Sequence, residues 1–344
     1  MLKPWLKYYD EGVPATIDYP SIPVDQLLSN AALKHPDHTA TIFGARVGSR
    51  LMDAKLTYRQ INDAANRFAS SLQSMGVKKG DRVAVMAPSC PQFIVAAYAT
   101  WRIGAIVVCC NPLYVEREVE HLLQDSGAET MVVLSSLYGR VKSVRSKTGL
   151  KRVIVTNIKE YFPGLLKFLF SLSKEKKEGH RVDISGDRDT FWFQEILHKG
   201  AAQPTPVEMK PQEVAVLIYT GGTTGGPKGA QLTHFNLVSN ATANNVWTKS
   251  LEAKDILVSV MPFFHSYGLT VGMNTPIANS LTAIVIPNPR DLRHVLMAIA
   301  KHRATFYPGV PTMVVGMNNF RSPDARSSKL MASQKPAPWP PWLL

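Results

Sequence analysis

Apolar residues recur at helical spacing downstream of Thr57: Ile61, Ala64, Ala65, Phe68, Ala69 and Leu72 share one face, and Gly76 ends the run. Thr57 and Gln60 stand at capping-box spacing, which predicts where that helix begins. The pattern then changes to short, continuous apolar runs at 83–86, 105–109, 131–134 and 153–156, with helical stretches at 91–102 and 116–125 between the first three. Continuous rather than alternating runs fit strands covered on both faces, so this series predicts βαβ units around a buried parallel sheet. A second series reads strand 214–219, helix 233–247, strand 256–261, helix 266–279, strand 281–287, helix 292–303 and a last strand at 304–307. The less regular, basic stretch 157–210 between the two series is the candidate boundary. The expectation is an α/β chain of two stacked βαβ subdomains with mostly parallel sheets, residues 1–200 and 201–320, followed by an irregular tail at 321–344. Four prolines in the last nine residues exclude a regular element there.

Composition narrows the class without changing that picture. The chain has 344 residues, 45% hydrophobic and 19% charged, the profile of a globular protein rather than a disordered or fibrous one. Cys90, Cys109 and Cys110 lie in apolar runs without zinc-ligand or CxxC spacing and read as buried small hydrophobes, which suits a reducing cytoplasm. The first 20 residues are interrupted by charge or proline and lack a signal-peptide core. No uncharged run approaches the roughly 20 apolar residues of a spanning helix. The formal charge of +13 is concentrated, since residues 140–181 hold twelve Lys or Arg against three Glu. One patch of this kind differs from a basic groove interleaved with aromatics, so no nucleic-acid partner is expected.

The densest chemistry follows the strand at 214–219: Tyr219, Thr220, Gly221, Gly222, Thr223, Thr224, Gly225, Gly226, Pro227, Lys228 and Gly229. Glycines let backbone N–H groups approach a polyphosphate, threonines supply hydroxyls, and lysine supplies a point charge. The plain alternative is a solvated strand-to-helix turn. Neither a Walker A loop nor a Rossmann fingerprint fits, because Lys228 lies between Pro227 and Gly229 and no GxGxxG occurs. Further on, Met261 to Leu269 reads MPFFHSYGL, and Tyr307 to Thr312 reads YPGVPT.

The string YTGGTTGGPKG resembles the phosphate loop of the adenylate-forming superfamily, which includes acyl-CoA synthetases, luciferases and peptide-synthetase adenylation domains. MPFFHSYGL is similar to the next core motif of that family, and YPGVPT to its GlyValPro turn. The leader YxxGVPxxIDYP and the following LLxxAAxxHPD look like bacterial long-chain fatty acid–CoA ligases, so the resemblance covers residues 1 to about 320. It implies that a fatty acid carboxylate attacks the α-phosphorus of ATP, pyrophosphate leaves, and coenzyme A takes the acyl group from the adenylate. By resemblance, residues 219–229 hold the nucleotide, with Lys228 also counted as catalytic and Thr220 as the hydroxyl near Mg²⁺. His265 lies beside the acyl carboxylate as a catalytic residue, and Phe264, His265, Gly268, Gly309 and Pro311 line the acyl pocket. Leu269 departs from relatives that place a gating tryptophan four residues after the histidine, which leaves chain-length preference undefined.

The family's later motifs do not occur in the sequence: the threonine–glutamate pair, the ribose-binding aspartate, the hinge and the C-terminal catalytic lysine. The resemblance is therefore to a truncated N-terminal domain of the fold, and the expectation is a fragment or early-terminated reading frame that makes little acyl-CoA. The alternatives are a non-catalytic nucleotide- or acyl-binding remnant, or an adenylate-former for a different acid. Residues 161–172, YFPGLLKFLFSL, followed by the lysine-rich 173–177, read either as a core-packed helix with a solvated lysine-rich end or as a peripheral contact with the inner face of a membrane. Leu166 and Phe170 are the positions expected to carry it. Oligomeric state is not legible.

Overall fold

The computed structural model describes residues 3–220 and 227–320. In chain order the first half comprises α1 (Asp25–Lys34), β1 (Thr39–Val47), β2 (Arg50–Thr57), α2 (Tyr58–Ser74), β3 (Arg82–Met86), α3 (Pro91–Arg102), β4 (Ile106–Cys109), α4 (Glu116–Ser126), β5 (Thr130–Leu134), α5 (Tyr138–Val144), β6 (Arg152–Thr156), α6 (Gly164–Ser173), β7 (Thr190–Trp192) and α7 (Phe193–Lys199). The second half comprises β8 (Val214–Thr220), β9 (Lys228–Thr233), α8 (His234–Thr248), β10 (Ile256–Ser259), α9 (Thr275–Ala278), β11 (Thr282–Val285), α10 (Leu292–His302) and α11 (Pro311–Asn319). The expected cap on α2 is present: the Thr57 side chain accepts from the Gln60 N–H, and the Gln60 side chain accepts from the Thr57 N–H.

A seven-stranded sheet runs in the order β7-β6-β5-β3-β4-β8-β9, and a four-stranded sheet runs β10-β11-β1-β2. All neighbours are parallel except the β8–β9 and β1–β2 pairs. Alternation along the strands explains the apolar runs. In the large sheet Val83, Val85, Val107, Val132 and Ile154 face the core shared with α2, α3 and the second sheet. Their neighbours Ala84, Met86, Val108, Met131, Val133, Val153 and Val155 face α4 and α5. In the smaller sheet Phe43, Ala283 and Val285 meet the shared core, while Ile42, Val258 and Ile284 pack on α10. Every residue of α3 is buried between the two sheets. Burial pushes the Cys90 and Cys109 thiols up to about 12 and that of Cys110 higher still, so these are packing groups rather than nucleophiles.

Four features differ from expectation. The β1–β2 hairpin was not anticipated, and it joins β10 and β11, while β8 and β9 join the sheet built by the first half. Both sheets therefore draw strands from either side of residue 200. Residues 228–233 form a strand, not part of a loop, and the helix after them starts at His234 behind a Thr233–Asn236 capping box. The helix expected at 266–279 is π-helical over Gly268–Asn274 before a short α9. The strand expected at 304–307 is reduced to one parallel bridge between Leu257 and Phe306. Residues 321–344 lie outside the described part of the chain.

Candidate functional site

The three motifs singled out in the sequence leave their sheets at the same kind of edge, the carboxyl ends of parallel strands. In α/β sheets that edge is where ligands bind. Thr220 ends β8 and is the cross-strand partner of Lys228 at the start of β9, so these paired strand ends flank the glycine segment in sequence. Gly221, Gly222, Thr223, Thr224, Gly225 and Gly226 lie outside the described residues. Thr220 and Lys228 are exposed at the mouth, and Lys228 makes no ion pair among the described residues.

Both sides of this mouth are held by one helix. The Tyr219 hydroxyl donates to Asp125 Oδ2 at 2.6 Å. One turn earlier, His121 Nε2 donates to the Pro227 carbonyl at 3.1 Å. Burial and the adjacent Asp125 carboxylate push the Tyr219 phenol far above its ordinary value, so it remains a donor at any working pH. Gly229 faces the same ring, where an added Cβ would come within 3.2 Å of the Tyr219 Cζ. Position α4 is set in turn by Val119, Leu122 and Leu123, which are buried against the large sheet.

The second motif leaves β10. Phe263 is buried against Phe93 of α3, with ring centroids 5.8 Å apart, and Phe264 is half-buried on the same core. His265 is exposed. Its Nδ1 accepts from the Tyr267 N–H at 3.3 Å, which assigns the ring proton to Nε2 and turns an N–H donor outward. Gly268 is buried where a Cβ would stand 2.0 Å from the Pro262 carbonyl oxygen, so this close passage of two backbones admits only glycine. The π-helix that starts there is held by the Ser259 hydroxyl donating to the Gly272 carbonyl at 2.6 Å and by Tyr98 donating to Asn274 Oδ1 at 2.9 Å. π-helical turns of this kind are concentrated at functional sites.

The third motif follows the Leu257–Phe306 bridge, so it emerges at the same edge as β10. Gly309 sits against the Tyr307 ring, and burial raises the Tyr307 phenol to about 12. Pro311 is the first residue of α11, where its missing N–H costs nothing, and it is exposed.

Ser89, which the sequence reading did not single out, joins the edges of the two sheets. It follows β3 and accepts from the Phe263 N–H at 3.2 Å while donating to the Met261 carbonyl at 3.3 Å. Asp125 and His121 were also missed, because a carboxylate and an imidazole four residues apart on a helix resemble any solvated face. Among the described residues no group of three or more His, Cys, Asp or Glu could hold a metal ion.

Layers of helix, sheet, helix, sheet and helix, with motif-bearing turns on one edge, match the N-terminal domain of adenylate-forming enzymes. The chain belongs to the AMP-binding enzyme family, whose model matches residues 28–337. It is 34% identical over 316 residues to a long-chain-fatty-acid–CoA ligase of Bacillus subtilis, an alignment covering 92% of this chain and 55% of the relative. It is 33% identical over 346 residues to the enzyme of that name from Escherichia coli O157:H7, covering 96% and 59%. Among solved structures it is similar to a long-chain-fatty-acid-CoA ligase from Archaeoglobus fulgidus, with TM-score 0.72, 31% identity, and coverage of 90% and 56%. The chain thus spans a little over half the length of each of these relatives. The resemblance read from the loop, the histidine motif and the leader is borne out at the level of family and fold.

Proposed function

We propose that this chain carries the phosphate-binding and acyl-facing part of an enzyme that joins a fatty acid to ATP as the acyl-adenylate, with coenzyme A as the later acyl acceptor. The observation that carries the proposal is the hairpin mouth, where an exposed Lys228 without an ion pair among the described residues faces Thr220 across the strand pair. A carboxylate is a weak nucleophile and the triphosphate is strongly anionic. Progress depends on holding the two in line and offsetting charge, for which a lysine and hydroxyls at a rigid mouth are suited. Lys228 then meets phosphate oxygens, with Gly221 to Gly226 and Gly229 giving the backbone room to approach them. The outward N–H of His265 suits an oxygen of the acyl carboxylate, with Phe264, Gly268, Gly309 and Pro311 shaping its surroundings.

Mg²⁺ fits this site in a limited sense. The ion takes much of its coordination from substrate phosphates and water, so it does not need a carboxylate cage. The exposed Thr220 hydroxyl is the described group available to it. When bound, the metal would offset charge on the phosphates, and Thr220 would hold it at the mouth.

Calorimetric titration of Mg·ATP into the wild-type chain and the Lys228→Ala and Thr220→Ala variants tests the proposal. Losing a charge-assisted contact to phosphate is expected to weaken binding by about tenfold or more for Lys228→Ala. Equal affinity in wild type and Lys228→Ala would remove the loop from nucleotide binding.

A further inference from the structure

Helix α6 has two apolar faces, and only one is used by the fold. Leu166 and Phe170 point inward. Phe170 packs edge-on to Phe162, which stacks on Phe43 of β1 at 5.5 Å, so the helix is seated on the shared core. Leu166 and Phe170 thus follow the core-packed reading of this segment, and they are not the residues that could carry a membrane contact. The outward residues are Leu165, Phe168, Leu169 and Leu172, which are 62%, 60%, 38% and 71% exposed. Their i, i+3, i+4, i+7 spacing gathers them into an arc of roughly 100°. Single exposed apolar residues need no explanation, but a contiguous stripe of this kind marks an interaction surface.

The charges around the stripe say what covers it. Residues 159–181 hold six Lys or Arg against three Glu. Glu160 is half-buried and bonded to the Thr156 hydroxyl, and Glu175 is taken by Lys159 at 2.6 Å. Glu178 lies 3.7 Å from Lys174. Lys167, Lys176 and Lys177 are exposed and make no ion pair among the described residues. The stripe is therefore bordered by uncompensated positive charge.

We infer that α6 docks this protein on an anionic lipid surface, with Leu165, Phe168, Leu169 and Leu172 in the acyl region and Lys167, Lys176 and Lys177 at the headgroups. The helix has ten residues, too few to span a bilayer, and among the described residues no helix is long and apolar enough to cross one. Its short length, outward apolar stripe and the lysines in and just after it suit a helix that lies in the interface rather than across it. A second copy of the chain is the poorer occupant, because a twofold contact through the stripe would bring like-charged lysines together. The inference stands on this surface and is independent of the glycine loop.

Co-sedimentation with vesicles of phosphatidylglycerol and phosphatidylcholine, and of phosphatidylcholine alone, tests it on the full chain. Binding is expected to the anionic vesicles, to weaken with added salt, and to be much poorer on the neutral ones. Phe168→Ser and Leu172→Ser should each lower partitioning by about tenfold or more, and Lys176→Gln with Lys177→Gln should lower it on anionic vesicles alone. The apolar variants should keep the wild-type circular dichroism spectrum and urea midpoint, since they alter exposed residues. Absence of sedimentation, equal binding by the variants, or equal binding to neutral vesicles would overturn the inference. So would a concentration-dependent dimer in sedimentation velocity that Phe168→Ser abolishes in a chain that ignores vesicles.

Discussion

Ser89→Ala removes the hydroxyl that, among the described residues, ties the end of β3 to the turn that carries His265. Two hydrogen bonds are lost, from the Phe263 N–H at 3.2 Å and to the Met261 carbonyl at 3.3 Å. Phe263 is fully buried, and its N–H has no other partner among the described residues. Leaving a buried donor unsatisfied costs about 1–3 kcal/mol, and the length of both bonds places this case near about 1–2 kcal/mol. If the turn opens locally, that loss raises its open population by about tenfold. Hydrogen exchange followed by mass spectrometry reads this as faster labelling of peptides that include Phe263, with a lower guanidinium midpoint in the same sample. Thr100→Ala is the matched control. It deletes another buried hydroxyl, one that bonds within α3 to the Ala96 carbonyl at 2.7 Å, and should leave exchange at the turn unchanged. Wild-type protection of Phe263 in Ser89→Ala, or equal acceleration in both variants, would refute a specific link between the two sheet edges.

Two further outcomes follow from the same structure. Tyr219→Phe keeps the ring beside Gly229 but deletes the donor to Asp125, and should cost about 1 kcal/mol in urea unfolding; a double-mutant cycle with Asp125→Ala that gives no coupling would exclude the contact. Burial pushes the His234 imidazole down to about 4, with its Nδ1 accepting from the Val24 N–H at 3.2 Å. The unfolded chain, with an ordinary imidazole near 6.5, then binds the proton first, so stability present above pH 6.5 is lost as pH falls toward 4, by up to about 3 kcal/mol. Urea midpoints across that range should show it. His234→Gln should remove this share of the slope while His38, His180 and His294, also lowered by burial, retain theirs; an unchanged slope would refute the assignment.

Local pattern foretold the central strands because covering both faces of a parallel sheet forces every position to be apolar, as in Val83 to Met86. Sheet membership is another matter. Phe43 pairs beside Val285, a partner 242 residues away, and nothing in the half-polar run from Thr39 to Thr57 announces it. Strand β9 was hidden for a related reason: its residues Lys228 to Thr233 are mixed in polarity and lie at a sheet edge, where one partner strand suffices. Helical spacing likewise cannot separate α from π turns over Gly268–Asn274, where the Gly272 carbonyl accepts from Ser259, a residue outside the helix. In α6 nearly every position is apolar, so the sequence carries no sign of which face meets Phe162 and which meets solvent. The glycine loop and the histidine turn were legible as family motifs because their residue order resembles the family's, and the family match over residues 28–337 bears that resemblance out.

The supports of the hairpin mouth connect these two kinds of information. Thr220 and Lys228 are fixed relative to each other by strand pairing, but their position over the sheet edge depends on Tyr219 and Pro227 bonding to Asp125 and His121. Those two groups stand on the solvent-side rim of α4, whose seat is made by Val119, Leu122 and Leu123 against β-strand residues such as Ala84 and Val108. A change in that apolar layer displaces α4, then its two polar contacts, then the mouth. Under the proposed function, nucleotide affinity is thereby tied to packing on the far side of the sheet from α3. Substitutions that loosen the α4 layer belong with those in the loop itself when binding is interpreted.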